Sequence, residues 1–265
     1  MNSQHLALVA AITLLPTGLL SAASLTTGNF AGYNTAPGDD LVGQHSWASN
    51  DNTDDLTFFV TLNGNNAAGV GGLWSAPALR NVDVYNSYGG SLVGTTFDVN
   101  FYLSGSTPGF PDRDSFGWTF KEGSNTLLRI AFEPNLNPGG ENKMEVVWYN
   151  PSGTRTSSGF DIFYGSSYSL SVDFLGSGAD ATFNAAVTGG GTIPMSGTLA
   201  GKGASTLQTV GADFDVTDAD PGNSGDNYMA FNQLTVVPEP GSVTLILAAL
   251  AGLTARRRAT RAFRS

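Results

Sequence analysis

Residues 114–134 read DSFGWTFKEGSNTLLRIAFEP, and this stretch decides the fold. Phe116, Trp118 and Phe120 alternate with Gly117 and Thr119; after Glu122-Gly123-Ser124-Asn125, Leu128, Ile130 and Phe132 alternate with Arg129 and Ala131. Side chains of a strand point to opposite faces in turn, so each run predicts one apolar face and one small or polar face. Such faces belong to antiparallel sheets with one side packed and one side wet.

The pattern repeats outward in both directions. Phe97, Val99, Phe101 and Leu103 alternate with Asp98, Asn100 and Tyr102; Met144, Val146 and Trp148 follow the same rule, as do Leu170, Val172 and Phe174 against Ser169, Ser171 and Asp173. Turn-rich segments separate the runs: 104–109 (SGSTPG), 137–140 (NPGG), 150–153 (NPSG) and 176–178 (GSG). Helix formers are scarce, with five Glu and three Lys against 34 Gly. Strands at this spacing predict an all-β, antiparallel two-sheet jelly-roll sandwich rather than βαβ units. No internal repeat and no linker divides residues 24–236, which predicts one large β domain.

The order of the runs resembles a known pattern. Segments 114–120, 127–134, 168–174 and the closing 226–236 (DNYMAFNQLTV) resemble the concanavalin-A-like lectin/glucanase (laminin-G-like) jelly rolls of exported bacterial proteins. Glucanases of that group place Glu-x-Asp-x-x-Glu carboxylates on one strand. The nearest strand here, Met144 to Trp148, offers Glu145 alone, with Val147 where the Asp would stand. Retaining glycoside hydrolysis needs two carboxyl groups about 5 to 5.5 Å apart. The resemblance therefore implies the fold without the hydrolase chemistry. A glycan hydrolase is the least favoured of three readings, and no catalytic residue is assigned.

Both ends carry addresses. Leu6 to Leu15 is almost wholly apolar, Pro16 and Gly18 interrupt it, and Ser21-Ala22-Ala23 supplies small residues for a cut after Ala23. That predicts a signal peptide over 1–23, helical in transit and read by Sec-type machinery. Its n-region lacks Lys and Arg, which departs from the usual pattern. At the other end Val237, Pro238, Glu239 and Pro240 precede an apolar stretch over 242–255 and the basic cluster Arg256, Arg257, Arg258. These three elements, in this order, resemble the PEP-CTERM tail, the substrate signal of exosortase-type enzymes in Gram-negative bacteria. The resemblance implies processing at or near Pro-Glu-Pro, transient anchoring in the inner membrane, and delivery of the body to the cell surface or outside. The prolines predict an extended, accessible backbone that continues neither helix nor strand. The core apolar run, 243–255, reaches about 20 Å as a transmembrane helix, short of the ~30 Å hydrocarbon layer. Snorkelling arginines extend it and place that end in the cytoplasm.

Charge and cysteine narrow the function. There is no Cys, so stability rests on the core or on bound metal. Five of twelve basic residues lie after position 255, leaving the body seven against 21 acids, a net of −14. Such a surface excludes nucleic-acid binding through phosphates and favours cations or neutral partners such as polysaccharide. The two histidines are His5, in the leader, and His45, which stands alone among many serines and makes no triad. Asp218, Asp220, Asn223 and Asp226 sit in a Gly-containing loop whose oxygen ligands suit calcium, and 50–55 (NDNTDD) is a weaker version. The spacing is not that of an EF-hand, and a solvated turn accounts equally for both. Trp74, Tyr85, Tyr88, Tyr102 and Tyr149 fall in loops or on polar phases of strands, where rings can stack on sugars. The sequence thus favours an exported, non-enzymatic surface or extracellular-matrix (biofilm-associated) protein. A lectin-like, calcium-assisted carbohydrate-binding module is the alternative.

Overall fold

The computed structural model describes residues 24–36, 39–50, 57–71, 80–104, 114–135, 142–216 and 228–238. The predicted signal helix and transmembrane helix lie outside them, as do Glu239, Pro240 and the arginine cluster. No helix among the described residues is long and apolar enough to cross a membrane.

Among the described residues fifteen strands, numbered in chain order, make two antiparallel sheets. The eight-stranded sheet runs β13 (Thr192–Leu199), β12 (Asp180–Thr188), β11 (Ser166–Ser177), β6 (Thr95–Leu103), β15 (Tyr228–Pro238), β4 (Asn65–Gly71) and β3 (Thr57–Leu62), with β1 (Leu25–Thr26) beside β15. The seven-stranded sheet runs β10 (Arg155–Phe163), β9 (Lys143–Tyr149), β8 (Asn125–Pro134), β7 (Ser115–Glu122), β14 (Thr206–Val216), β5 (Arg80–Ser91) and β2 (Trp47–Ser49). The strand neighbours are mostly distant in sequence, as a jelly roll requires. The opening hairpin is β7 and β8, with Trp118 opposite Ile130 and a register shift at Phe120/Lys121.

The alternation places one apolar face of each sheet against the other. Rings lock the two layers together. Phe97 of β6 meets Trp118 and Phe120 of β7 at 5.3 and 5.1 Å, Phe101 stacks on Phe132 at 4.6 Å, and Phe231 of β15 meets Trp118 edge-on at 5.0 Å. Such pairs add about 0.5 to 1.5 kcal/mol each beyond the area they bury. Trp118 is fully buried, and Trp148 is half-buried against Phe183, as their core phase predicts.

One expectation is corrected. Pro238 does not stop the strand. β15 runs through Val237 and Pro238, which pair with Thr96 and Thr95 of β6. Proline is tolerated at a strand end, where its missing N–H costs the ladder little. The body is therefore ordered two residues beyond position 236.

Candidate functional site

The outer face of the seven-stranded sheet carries the ion pairs found among the described residues. Three cross-strand rows define it. The first holds Tyr85, Gly211, Thr119, Arg129, Tyr149 and Arg155. The second holds Asp83, Asp213, Gly117, Ala131, Val147 and Ser157; the third includes Asn81, Asp215, Ser115 and, further along, Glu133, Glu145 and Asp161. Small residues at Gly211, Gly117 and Ala131 leave a low floor between longer side chains.

Glycine at 117 has a specific cause. A Cβ there would come within 2.6 Å of Asp213 Oδ1 and 2.7 Å of the Ile130 carbonyl. Asp213 can lie over β7 only because that space is free, and it is fully buried there.

Arg129 binds two carboxylates, through Nε to Asp213 at 2.7 Å and Nη2 to Asp215 at 2.7 Å, and its guanidinium lies 5.4 Å from the Tyr149 ring. Lys121 pairs with Asp83, and Thr119 donates to Asp83 at 3.2 Å. Further along the sheet Arg155 bridges Glu133 and Glu145, at 2.8 and 2.7 Å, while Tyr149 donates to Glu133 and Ser157 to Glu145.

Each ionisation follows from these partners. Burial, reinforced by the charges of Asp83 and Asp215, pushes the Asp213 carboxyl up to about 6 despite the pull of Arg129. Burial works against the charge of Arg129 too, but Asp213 and Asp215 outweigh it and hold it more firmly protonated than usual. Burial and the bond to Glu133 push the Tyr149 phenol up to about 12. Glu145 is opposed by burial, yet the bonds from Ser157 and Arg155 win and lower its pKa.

Chemically, the face is an ion-paired platform on which three cations meet five carboxylates. Arg129, Arg155 and Lys121 are each committed to carboxylates. The one carboxyl raised toward neutrality, Asp213, is sealed from solvent, and its Oδ1 has no hydrogen-bond partner. Glu133 and Glu145 stand directly opposite each other, a carboxylate pair that spacing along one strand did not reveal. Arg155 bonds both, and together with Ser157 it holds the Glu145 carboxyl below its usual range.

The aromatic candidates separate. Tyr85 and Tyr149 are half-buried in the same row of this face, four strand spacings or about 19 Å apart. Tyr102 is half-buried on the outer face of the other sheet, 6.4 Å from the ring of Tyr228. Tyr88 is a correction. It is 7% exposed in the core with its hydroxyl 3.4 Å from Thr95 Oγ1, because it continues the inward phase of Val82, Val84 and Asn86 along β5. Trp74 lies outside the described residues, as do Asp218, Asp220, Asn223, Asp226 and the acidic part of the second cluster. Asn50, at the edge of that cluster, accepts the Asp83 N–H at 2.9 Å. Among the described residues no group of His, Asp or Glu could hold a metal ion. His45 has its Nε2 3.2 Å from the Gly32 carbonyl and packs on Tyr33 at 4.2 Å, a structural setting.

The sequence reading missed Asp213 and Asp215, although Ala212, Phe214 and Val216 alternate with them and carry the signal that both face outward, as Arg129 does. It did not say that β14 lies between β5 and β7. That placement turns three separate outward charges into one network.

Known proteins share the architecture. A mutant of the alginate lyase Aly36B in complex with alginate tetrasaccharide is 14% identical, with a TM-score of 0.52 over 82% of this chain and 97% of its own. Lectin II from Ulex europaeus is 8% identical, with a TM-score of 0.51 over 82% and 98%. Lectin UEA-II complexed with galactose is 8% identical, with a TM-score of 0.50 over 82% and 98%. These likenesses establish the fold. No curated protein matches the chain in sequence. Residues 236–258 match the PEP-CTERM protein-sorting motif, so this is an exported protein, a jelly roll of the concanavalin-like kind whose last strand runs directly into that motif.

Proposed function

We propose that this chain is a non-enzymatic surface or extracellular-matrix protein, brought to the inner membrane, processed by an exosortase-type enzyme and delivered outside the cell. The observation that carries the non-enzymatic reading is the closed ionic network on the seven-stranded sheet. A hydrolase needs one carboxylic acid protonated and one carboxylate free beside the scissile bond. Glu133 and Glu145 are both paired with Arg155, so neither carboxyl stands free beside a bound sugar. Elimination from an acidic polysaccharide needs a cation free to meet the uronate, and the cations of this network already have carboxylate partners. The body's net charge of −14 adds repulsion toward polyanions.

The test is an activity screen of the exported protein against alginate, glucuronan and neutral β-glucans. Ultraviolet absorbance of unsaturated ends and new reducing ends are the readouts. Neither is expected to rise above the level of heat-inactivated protein, and a sustained turnover that a Tyr149→Phe or Glu133→Gln variant abolishes would sink the reading.

A lectin-like role for the same face has one observation in its favour. Tyr85 and Tyr149 lie half-buried in one row of this face, with the small residues Gly211 and Thr119 beside Tyr85, where a neutral glycan could lie along the row. Calcium assistance belongs with this second reading, through the loop of Asp218, Asp220, Asn223 and Asp226. A melting curve with calcium and with chelator tests it. The melting temperature is expected to rise in millimolar calcium, and coincident curves would count against it.

A further inference from the structure

The opposite sheet offers a surface of different chemistry. Where β15 leaves its pairing with β4, after Phe231, it carries a bulge between Asn232 and Thr235. Gln233 sits in the bulge in the left-handed region, at φ 52°. Its N–H turns away to the Gly28 carbonyl at 2.6 Å. A non-glycine residue is strained in that region, and bulges of this kind re-aim a side chain. Here the amide of Gln233 is brought over the sheet.

A cleft of about 280 Å³ opens beside it. Its lining contains no ionisable side chain other than Tyr168, whose hydroxyl bonds the Phe163 backbone. Across the opening, Ser169 Oγ donates to Asn100 Oδ1 at 2.7 Å, and Asn100 Nδ2 donates to Gln233 Oε1 at 2.6 Å. The relay leaves the Gln233 amide protons as donors at one end and the Ser169 oxygen as an acceptor at the other. Asn63, also left-handed at φ 51°, joins the rim from the β3–β4 turn.

An aromatic surface adjoins this amide strip. Tyr102 lies two residues along β6 from Asn100, about 7 Å away. Its ring neighbours Tyr228, which meets Phe58 edge-on at 5.2 Å. Phe58 lies down on Gly69, where any Cβ would strike the ring at 2.4 Å. All three rings are half-buried, so part of each faces solvent.

Rings beside uncharged donors and acceptors match one class of ligand. A sugar presents apolar C–H faces that rings can cover and hydroxyls that both donate and accept. The cleft sits near the small end of ligand-site volumes, which suits one or two sugar units. We infer that the outer face of the eight-stranded sheet is a saccharide-binding site for a neutral glycan, with Tyr102 as stacking platform and Asn100, Ser169 and Gln233 as hydrogen-bonding groups. The site is distinct from the Tyr85–Tyr149 face and needs neither metal nor cation.

The experiment is saturation-transfer NMR on the exported protein with gluco-, manno- and galacto-trisaccharides. Gln233→Gly is the informative variant, because glycine accepts the backbone conformation and removes only the amide. Binding of at least one neutral series is expected, weakened about tenfold or more by Gln233→Gly and by Tyr102→Ala, and unchanged by Tyr149→Ala. Absence of binding to every series at millimolar sugar overturns the site, as does binding that survives both Gln233→Gly and Tyr102→Ala. Loss through Tyr149→Ala alone would overturn it too, while moving the glycan to the other face.

Discussion

At the scale of single residues, stability hangs on how buried charges are matched. Asp213 is fully buried beside Asp83 and Asp215, and Arg129 is the cation that makes this tolerable. Removing one partner of a buried pair typically costs about 3 to 5 kcal/mol, because the other charge stays behind. Arg129→Met is therefore expected to lower the midpoint of chemical denaturation strongly at pH 7. The loss is expected to shrink at pH 5, where Asp213 takes up a proton. A loss that is the same at both pH values would contradict this account. The wild type carries the same sign. Asp213 holds its proton up to about pH 6, well above an unfolded aspartate near 3.9, so this group favours the fold more as pH falls from 7 toward 5. Between those pH values its contribution is about 1 kcal/mol, or about 2 to 4 °C in melting temperature. Glu145 works in the opposite direction, but only below its ordinary pKa near 4.3, outside that window. Asp213→Asn is expected to flatten the pH 5 to 7 dependence, read by calorimetry. Gly117→Ala forces a methyl against Asp213 Oδ1 and the Ile130 carbonyl, and is expected to destabilise by about 1 to 3 kcal/mol.

At the scale of elements, alternation was enough to find the strands and their inward faces. β6, β7, β8, β9 and β11 lie where the period-2 runs placed them. Inter-strand order was not legible, because register is fixed by contacts between segments far apart in the chain. The pairing of Asp213 with Asp83, 130 residues away, is such a contact. So is the meeting of Ser169 and Asn100. Tyr88 fails for a local reason, since it stands an even number of residues from Val82 and Val84 and so shares their buried face, whereas Tyr85 stands an odd number away and faces out. Pro238 fails because the ladder with β6 overrides a residue-level preference at the last position of a strand. The end of β15 therefore belongs to the fold. Val236 is fully buried and pairs with Phe97 on one side and Leu25 on the other. A chain ending at residue 238 is expected to melt with the full-length body, whereas one ending at 234 loses Val236 and the β1 contact. Burial of a valine alone accounts for about 1.5 to 3 kcal/mol, so the shorter chain should unfold at clearly lower urea.

At the scale of the whole molecule, the last ladder and the sorting motif overlap, and this constrains how the body meets the membrane. The matched motif begins at residue 236, inside β15. Four residues, Glu239 to Ser242, separate the end of the strand from the apolar run. Fully extended they span at most about 14 Å. If the tail anchors in the membrane as proposed, the edge of the jelly roll bearing Pro238 and its partner Thr95 would lie close to the bilayer. The turn around Val93 and Gly94 shares that edge, since Gly94 N–H bonds the Phe174 carbonyl where β11 passes beside β6. A processing enzyme acting near Pro-Glu-Pro would work in this narrow gap, and a cut upstream of Pro238 would break the β15 ladder. Ten Gly/Ser residues inserted between Pro238 and Glu239 should leave the melting temperature unchanged, because no described contact is crossed, and should allow tail removal at least as fast in a pulse–chase experiment. The same insert between Leu234 and Thr235 separates Val236 from Phe97 and should lower the melting temperature by several degrees. Equal melting temperatures for the two insertions would mean that β15 ends before the motif and that the two do not overlap.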